Sequence, residues 1–183
     1  MPRKKTFQVL REAGKVGAYD EMPMLPDDIQ IQLHLSRNDR AQPFHLICAK
    51  DTLLVLLSGA GTVEFRGTAI ERLVLKPGDF AYVPAGAPHR IVPAEESVML
   101  RYKPQHPGLE GIAWYCATCD AEIYREVWDT AKASSHDMYQ QISARFAADS
   151  SLRTCRGCGS TRQPPDLTGL RWTEVAQEIS TQT

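Results

Sequence analysis

The 183-residue sequence has almost no net charge, −1 with its histidines neutral. It therefore builds no field to attract nucleic acid or an anionic membrane, and neither is expected as a partner. It lacks any apolar run near the roughly 18 residues that a membrane-spanning helix needs. The basic start, Met1-Pro-Arg-Lys-Lys5, is not followed by the apolar core of a secretory signal. These absences predict a cytoplasmic protein. No Gly-rich phosphate loop is present either, because Gly59-Ala-Gly61 falls in a strand hairpin with no helix after it. A Ser or Cys nucleophile system is not visible in the spacing. What remains, 43% hydrophobic and 23% charged residues, is the composition of an ordinary soluble globular protein. The length allows one domain of common size plus a small appendage.

The first hundred residues read as a series of short strands. A short helix over Lys5–Ala13 and a Pro-rich approach, Met22–Pro26, come first. Ile29, Ile31, Leu33 and Leu35 then alternate with Gln30, Gln32, His34 and Ser36, the pattern of a strand with one buried face, with His34 on the polar face. Phe44–Cys48, Leu53–Leu57, Thr62–Phe65, Ile70–Leu75, Phe80–Val83, Arg90–Val92 and Val98–Tyr102 continue the series, separated by turn residues. Strands at this spacing predict an all-β sandwich or barrel. After Tyr102 the composition changes. Lys103–Gly108 reads as a linker with a solvated His106, so the barrel with its N-terminal arm is expected over 1–103 and a second segment over 104–183. In that segment Ile123–Val127 reads as a strand, Ser135–Asp149 as a helix, and Trp172–Ile179 as an amphipathic tail.

Two stretches carry chemistry. Lys76–Arg90 opens with the turn Pro77-Gly78-Asp79, runs through the strand Phe80–Val83, and is forced into an extended path by Pro84 and Pro88. It delivers His89 at the start of the next strand. Cys116, Cys119, Cys155 and Cys158 form two Cys-x-x-Cys pairs separated by a 35-residue insert, the second followed by Gly159 and the first by Asp120. Without a secretory signal this favours metal binding over disulfides. Four soft thiolates suit tetrahedral zinc, or a lone iron, and a closed shell of four leaves no position for substrate, so the site reads as structural. Cys48, in an apolar strand, reads as a buried inert thiol.

Gly78, Pro84, Gly86 and His89 stand at the spacing of the second motif of cupins, and His45–Gly59 resembles the first. A cupin double-stranded β-barrel followed by Trp114-Tyr-Cys116-Ala-Thr-Cys119 and a second Cys-x-x-Cys, a rubredoxin-like zinc knuckle, resembles the bacterial 3-hydroxyanthranilate 3,4-dioxygenases from about Asn38 to Gly159. The resemblance implies a homodimer with Fe(II) in the barrel, held by two His and a carboxylate, that opens an amino- and hydroxy-substituted aromatic acid with O2. Carried over by position, His45 and His89 match the two His ligands. The carboxylate position falls on Thr52, with Asp51 beside it as the candidate acid. Ile47 stands where other cupins keep an extra His. Of the family's substrate-gripping residues, one Arg falls on Ala41, next to Arg40, and another on Pro93. A Glu falls on Arg101, which inverts the local charge.

Two readings follow. In the first, His45, His89 and Asp51 hold a metal, and Arg101 with Arg40 anchors an anionic aromatic substrate of altered identity, since Arg grips a carboxylate in bidentate fashion. In the second, the cupin has lost iron chemistry and serves as a non-redox enzyme or a small-molecule-binding accessory protein. The missing Glu and the replaced Arg residues favour the second, and the two retained His favour the first.

Overall fold

Short runs of β-branched and aromatic residues between Gly and Pro turns have little choice but to pair into sheets. The computed structural model describes residues 9–25 and 30–181. In chain order these form α1 (Val9–Ala13), β1 (Met22–Pro23), β2 (Ile31–Asn38), β3 (His45–Cys48), β4 (Thr52–Ser58), β5 (Gly61–Phe65), β6 (Arg72–Leu75), β7 (Phe80–Val83), β8 (His89–Pro93), β9 (Ser97–Pro104), β10 (Leu109–Tyr115), β11 (Glu122–Asp129), α2 (Ser135–Ala148) and α3 (Trp172–Ser180). The start of the helix expected from Lys5, together with Ile29, lies outside the described residues. One sheet has the order β1-β2-β9-β4-β7, the other β11-β10-β3-β8-β5-β6, with antiparallel pairing throughout. Leu54, Leu56, Ala81, Val83 and Met99 of the first sheet meet Val63, Phe65 and Ile91 of the second in one core. No described helix is long and apolar enough to cross a membrane.

Both faces of β2 are covered, which the alternation alone does not reveal. Leu33 and Leu35 pack on the outer side of the barrel against Ala13, Val16, Val98 and Leu100. The polar set turns inward: His34 pairs with Arg101 in register, and Arg101 reaches across to the second sheet. Gln32 and Ser36 are accordingly buried. A polar barrel interior is thus written into this strand.

The second sheet runs past the boundary expected at residue 103. β9 continues through Pro104, and β10 pairs with β3 on one side, Gly111 opposite Ile47, and with β11 on the other. The sequence hides β10 because Glu110 and Gly111 interrupt its apolar pattern. The glycine is required there, since a Cβ would lie 2.9 Å from the Glu126 carbonyl oxygen. The cysteine-bearing stretch therefore hangs from strands of the barrel's own sheet.

The part of that sheet not facing the first is covered by α2 and α3. Tyr139, Ile142 and Phe146 of α2 and Trp172 of α3 bury against Phe44, Leu46, Ile112, Trp114 and Trp128. Trp114 stacks on Phe146 with centroids 4.0 Å apart. Trp172 is fully buried, and its indole N–H donates to the Tyr19 carbonyl at 3.2 Å, tying α3 to the N-terminal arm. Replacing Trp172 by Ala should therefore destabilise the protein by about 3–5 kcal/mol. Trp172→Phe should also lower stability, through lost contacts and the unpaired carbonyl. Urea denaturation would measure both, and a Trp172→Ala variant as stable as the parent would contradict this packing.

Candidate functional site

Between the two sheets lies a cluster of buried charges. Along β9 the inward positions are Met99, Arg101 and Lys103, two residues apart and so on one face. Arg101 and Lys103 are 3% and 4% exposed. Burying two cations is tolerable only with counter-charges in contact. Glu21, from the arm, accepts from Arg101 Nε at 2.7 Å and lies 3.5 Å from Lys103 Nζ. Glu110 of β10 accepts from Lys103 at 2.8 Å and from the Ser135 hydroxyl at 2.7 Å. Two carboxylates thus balance two cations. Both acids titrate low: burial alone would raise them, but Arg101 and Lys103 for Glu21, and Lys103 with Ser135 for Glu110, outweigh it.

Glu21 is delivered by a backbone that costs energy. Tyr19 and Glu21 adopt left-handed φ values of 55° and 42°, unfavourable for residues with a Cβ. The turn is held at several points. Asn38 Oδ1 accepts from the Tyr19 amide, the Tyr19 hydroxyl donates to the Arg40 carbonyl at 2.6 Å, and His136 Nε2 sits 2.7 Å from the Asp20 carbonyl. The arm, α2 and α3 together close over this end of the barrel.

His89 lies within the cluster, fully buried. Its Nδ1 is 3.1 Å from the Ala87 carbonyl and its Nε2 is 2.7 Å from Arg101 Nη1. A guanidinium can only donate, so Nε2 is the accepting nitrogen and the proton is on Nδ1. The lone pair that a metal would use is taken by Arg101. Burial first, and then Arg101, push the imidazole down to about 3.

The other residues expected around a barrel metal do not gather at His89. Leu46 is the partner of His89 across β3 and β8, so His45, its neighbour, points to the opposite, outer face. There His45 packs edge-on against Tyr115, centroids 4.9 Å apart, with its Nε2 buried and unpartnered. Burial, then Arg90 and Arg66, lower it to about 2. Asp51 is exposed and accepts from the Ala85 amide at 2.9 Å, capping the Pro84–Pro88 loop. The positions that share the inner faces with His89 and Arg101 include His34, Leu46, Cys48, Thr52 and Leu54. These residues do not fit the iron that the resemblance implies. His89 is already engaged by a guanidinium, and Glu21 and Glu110 are taken by Arg101 and Lys103. Among the described residues His34, the other inward imidazole, forms no converging group of three ligands with them. Arg101 projects into the barrel, where its partners are Glu21 and His89. Arg40 stays at the surface, bonded to Asp39 and to the Thr168 carbonyl. Cys48 is buried as expected, 3.9 Å from Glu110.

The cysteines behave differently. Among the described residues they are the one group of three or more potential ligands that converges, all four sulfurs lying within 4.8 Å of one another. Cys116 and Cys158 are 3.5 Å apart, Cys119 and Cys155 3.6 Å. A tetrahedral ion with metal–sulfur bonds of about 2.3 Å has edges of about 3.8 Å, so the sulfurs fit one. Each knuckle closes alike, the amides of Asp120 and Gly159 donating to the carbonyls of Cys116 and Cys155 with φ of 56° and 75°. Asp120 thus takes the left-handed conformation that glycine takes in the second knuckle. The Ser160 hydroxyl, 3.1 Å from both Cys116 and Cys158, holds Cys116 near 5 and Cys158 below the ordinary thiol range. Cys119 has an Ala121 amide that lowers it, but sharing protons with the other three sulfurs pushes it up to about 12. A bound cation lets all four ionise together.

Sequence reading missed Glu21, Lys103 and Glu110. Lys103 had a signal, since it stands two residues after Arg101 on a strand. Glu21 had none, because no periodicity reaches the arm.

Residues 34–102 match the family model of the cupin domain. A search of the curated proteins finds no match. Among solved structures, hydroquinone 1,2-dioxygenase from Sphingomonas sp. TTNP3, with 4-hydroxybenzoate bound, is 18% identical over 53% of this chain and 71% of its own, with a TM-score of 0.46. A cupin-2 domain protein from Shewanella frigidimarina is 17% identical over 55% of this chain and 95% of its own, TM-score 0.46. Salicylate 1,2-dioxygenase from Pseudoaminobacter salicylatoxidans is 20% identical over 43% of this chain and 20% of its own, TM-score 0.38. At such identities, residue roles come from this chain's own geometry.

Two outcomes follow from the buried cluster. Glu21→Gln leaves Arg101 and Lys103 with one counter-charge and should cost about 3–5 kcal/mol, part of it recovered in Glu21→Gln/Arg101→Met. A thermal or urea scan of the single variant matching the parent would refute the counter-ion role. The second outcome concerns pH. His89 and His34, both lowered to about 3 chiefly by burial, stay neutral when folded, whereas the unfolded chain protonates them near 6.5. The unfolded state then binds more protons, so stability falls as pH drops below about 6.5, by up to about 1.4 kcal/mol per pH unit for each histidine. Glu21 and Glu110 add their loss only below about 4.5, the ordinary carboxylate range. Urea midpoints that stay flat between pH 7 and 5 would show that these histidines are not held neutral.

Proposed function

We propose that the protein is a cupin-like small-molecule-binding or accessory protein whose barrel has given up iron chemistry, with zinc held by Cys116, Cys119, Cys155 and Cys158 as its structural metal. The observation that carries this reading is the His89–Arg101–Glu21 chain. A permanent cation donates to the inward imidazole of His89, and a divalent ion at that nitrogen would sit against a guanidinium in a low-dielectric interior. Leu46, Cys48 and Thr52 supply no carboxylate or imidazole beside it, and among the described residues His34, the other inward imidazole, joins no converging group of three ligands. The knuckle is the opposite case: soft donors, tetrahedral spacing and a closed shell favour zinc.

The oxygenase reading, in which His45, His89 and Asp51 hold iron and an amino- or hydroxy-substituted aromatic acid is oxidised, draws on one observation: His89 faces inward within the span that matches the cupin domain. It requires His45 to turn to the inner face, Asp51 to leave its loop, and Arg101 to release Nε2. A homodimer remains part of the proposal, on the sequence resemblance.

Metal content per chain by mass spectrometry, before and after anaerobic Fe(II) loading, separates the readings. One zinc per chain is expected, no iron gained, and no change in His45→Ala/His89→Ala. Cys119→Ser/Cys158→Ser should lose the zinc and expose residues 116–162 to protease. One added iron that depends on the two histidines would overturn the proposal in favour of the oxygenase.

A further inference from the structure

The charges inside the barrel cancel, but those on the outer face of the second sheet do not. A cavity of about 500 Å³ opens there, between the Arg66–Thr68 turn, the Pro84–Pro88 loop and the Tyr115 ring, with Glu122 and Arg125 at one end. That volume suits a small organic molecule. Arg125 is satisfied by Glu122, which also lies 3.4 Å from the Tyr115 hydroxyl. Arg162 donates to the Tyr115 carbonyl, and its charge reaches Cys116, so it serves the thiolate cluster. Arg90 has Glu64 at 2.7 Å.

Arg66 is left over. Its carboxylate neighbour is Asp120, 3.4 Å away and 73% exposed, a pair that water screens. Its Nη1 donates to its neighbour's carbonyl, Phe65 O, at 3.2 Å, and its buried Nε has no partner. The guanidinium stands 6.0 Å from the Tyr115 centroid, at the cavity wall. Behind that ring lies His45 Nε2, buried and unpartnered as well. A cation with spare donors beside an aromatic ring and an apolar Pro-Ala-Gly-Ala-Pro wall is matched by an oxyanion on a flat apolar body.

We propose that this cleft binds a small organic anion, a carboxylate or phosphate, with Arg66 gripping the anionic group and Tyr115 and the Pro84–Pro88 loop flanking its body. The site is separate from the barrel and does not depend on whether the barrel holds metal. Its test is a ¹⁵N-resolved NMR titration of the full, zinc-loaded chain with sodium benzoate, inorganic phosphate and neutral benzamide. Saturable shifts of the Gly67, Thr68 and Gly86 amides are expected with benzoate or phosphate and not with benzamide. Benzoate alone identifies a carboxylate on an apolar body, and phosphate alone a phosphate-bearing ligand. Arg66→Gln should weaken binding about tenfold or more while its spectrum keeps the parent's dispersion. In the parent, raising salt from about 0.05 to 0.5 M should weaken it too, a readout that needs no variant. No saturable shift with either anion would overturn the proposal. So would shifts centred on His89 and Arg101, equal binding of benzamide, or undiminished binding by Arg66→Gln.

Discussion

One carboxylate, Glu21, sets the character of the barrel. Two cations on β9 face inward because of strand alternation, and nothing on the sheets besides Glu110 offers them a counter-charge. The chain supplies the second acid from outside the barrel framework, through a turn that forces two side-chain-bearing residues into left-handed φ. That local strain is offset because an uncompensated buried guanidinium would cost more. The position of the arm, its bonds to α2 and α3, and the closure of this end of the barrel all follow from bringing that one group to Arg101.

The same guanidinium fixes the state of His89. An imidazole between a carbonyl and a guanidinium has a single workable tautomer, and it stays neutral over the pH range in which a free histidine titrates. A residue that in an open barrel would be a ligand becomes a hydrogen-bond acceptor within a charge network. Thr52 and Arg101 act in the same sense, one offering no acid and the other a cationic side chain that would compete with a metal cation for the same space.

Much of this fold was legible in the sequence, and the failures have physical causes. The strands from Phe44 to Tyr102 and the helix from Ser135 could be read because apolar periodicity and Pro/Gly punctuation agree there. β10 was hidden by Glu110 and Gly111, whose reasons are a buried lysine and a close backbone approach that only tertiary structure shows. The four cysteines were legible because their spacing states their geometry. His45 was matched to the metal by its place in the first cupin-like motif, but strand faces alternate with every residue. An offset of one between His45 and Leu46 moves the imidazole from the inside to the outside. Glu21 was out of reach, since its partners lie 80 and 82 residues further along the chain.

The hydrogen bond from Trp172 to the Tyr19 carbonyl joins residues 153 apart. While the chain emerges from a ribosome, the arm can lie against the growing sheets, but the indole that fastens its turn is not yet outside. Arg101 and Lys103 will have been made long before the α3 contact that helps hold Glu21 beside them. The arm's turn is therefore fastened only after α3 has been made. The order of synthesis leaves a period in which the arm's turn lacks its α3 clasp.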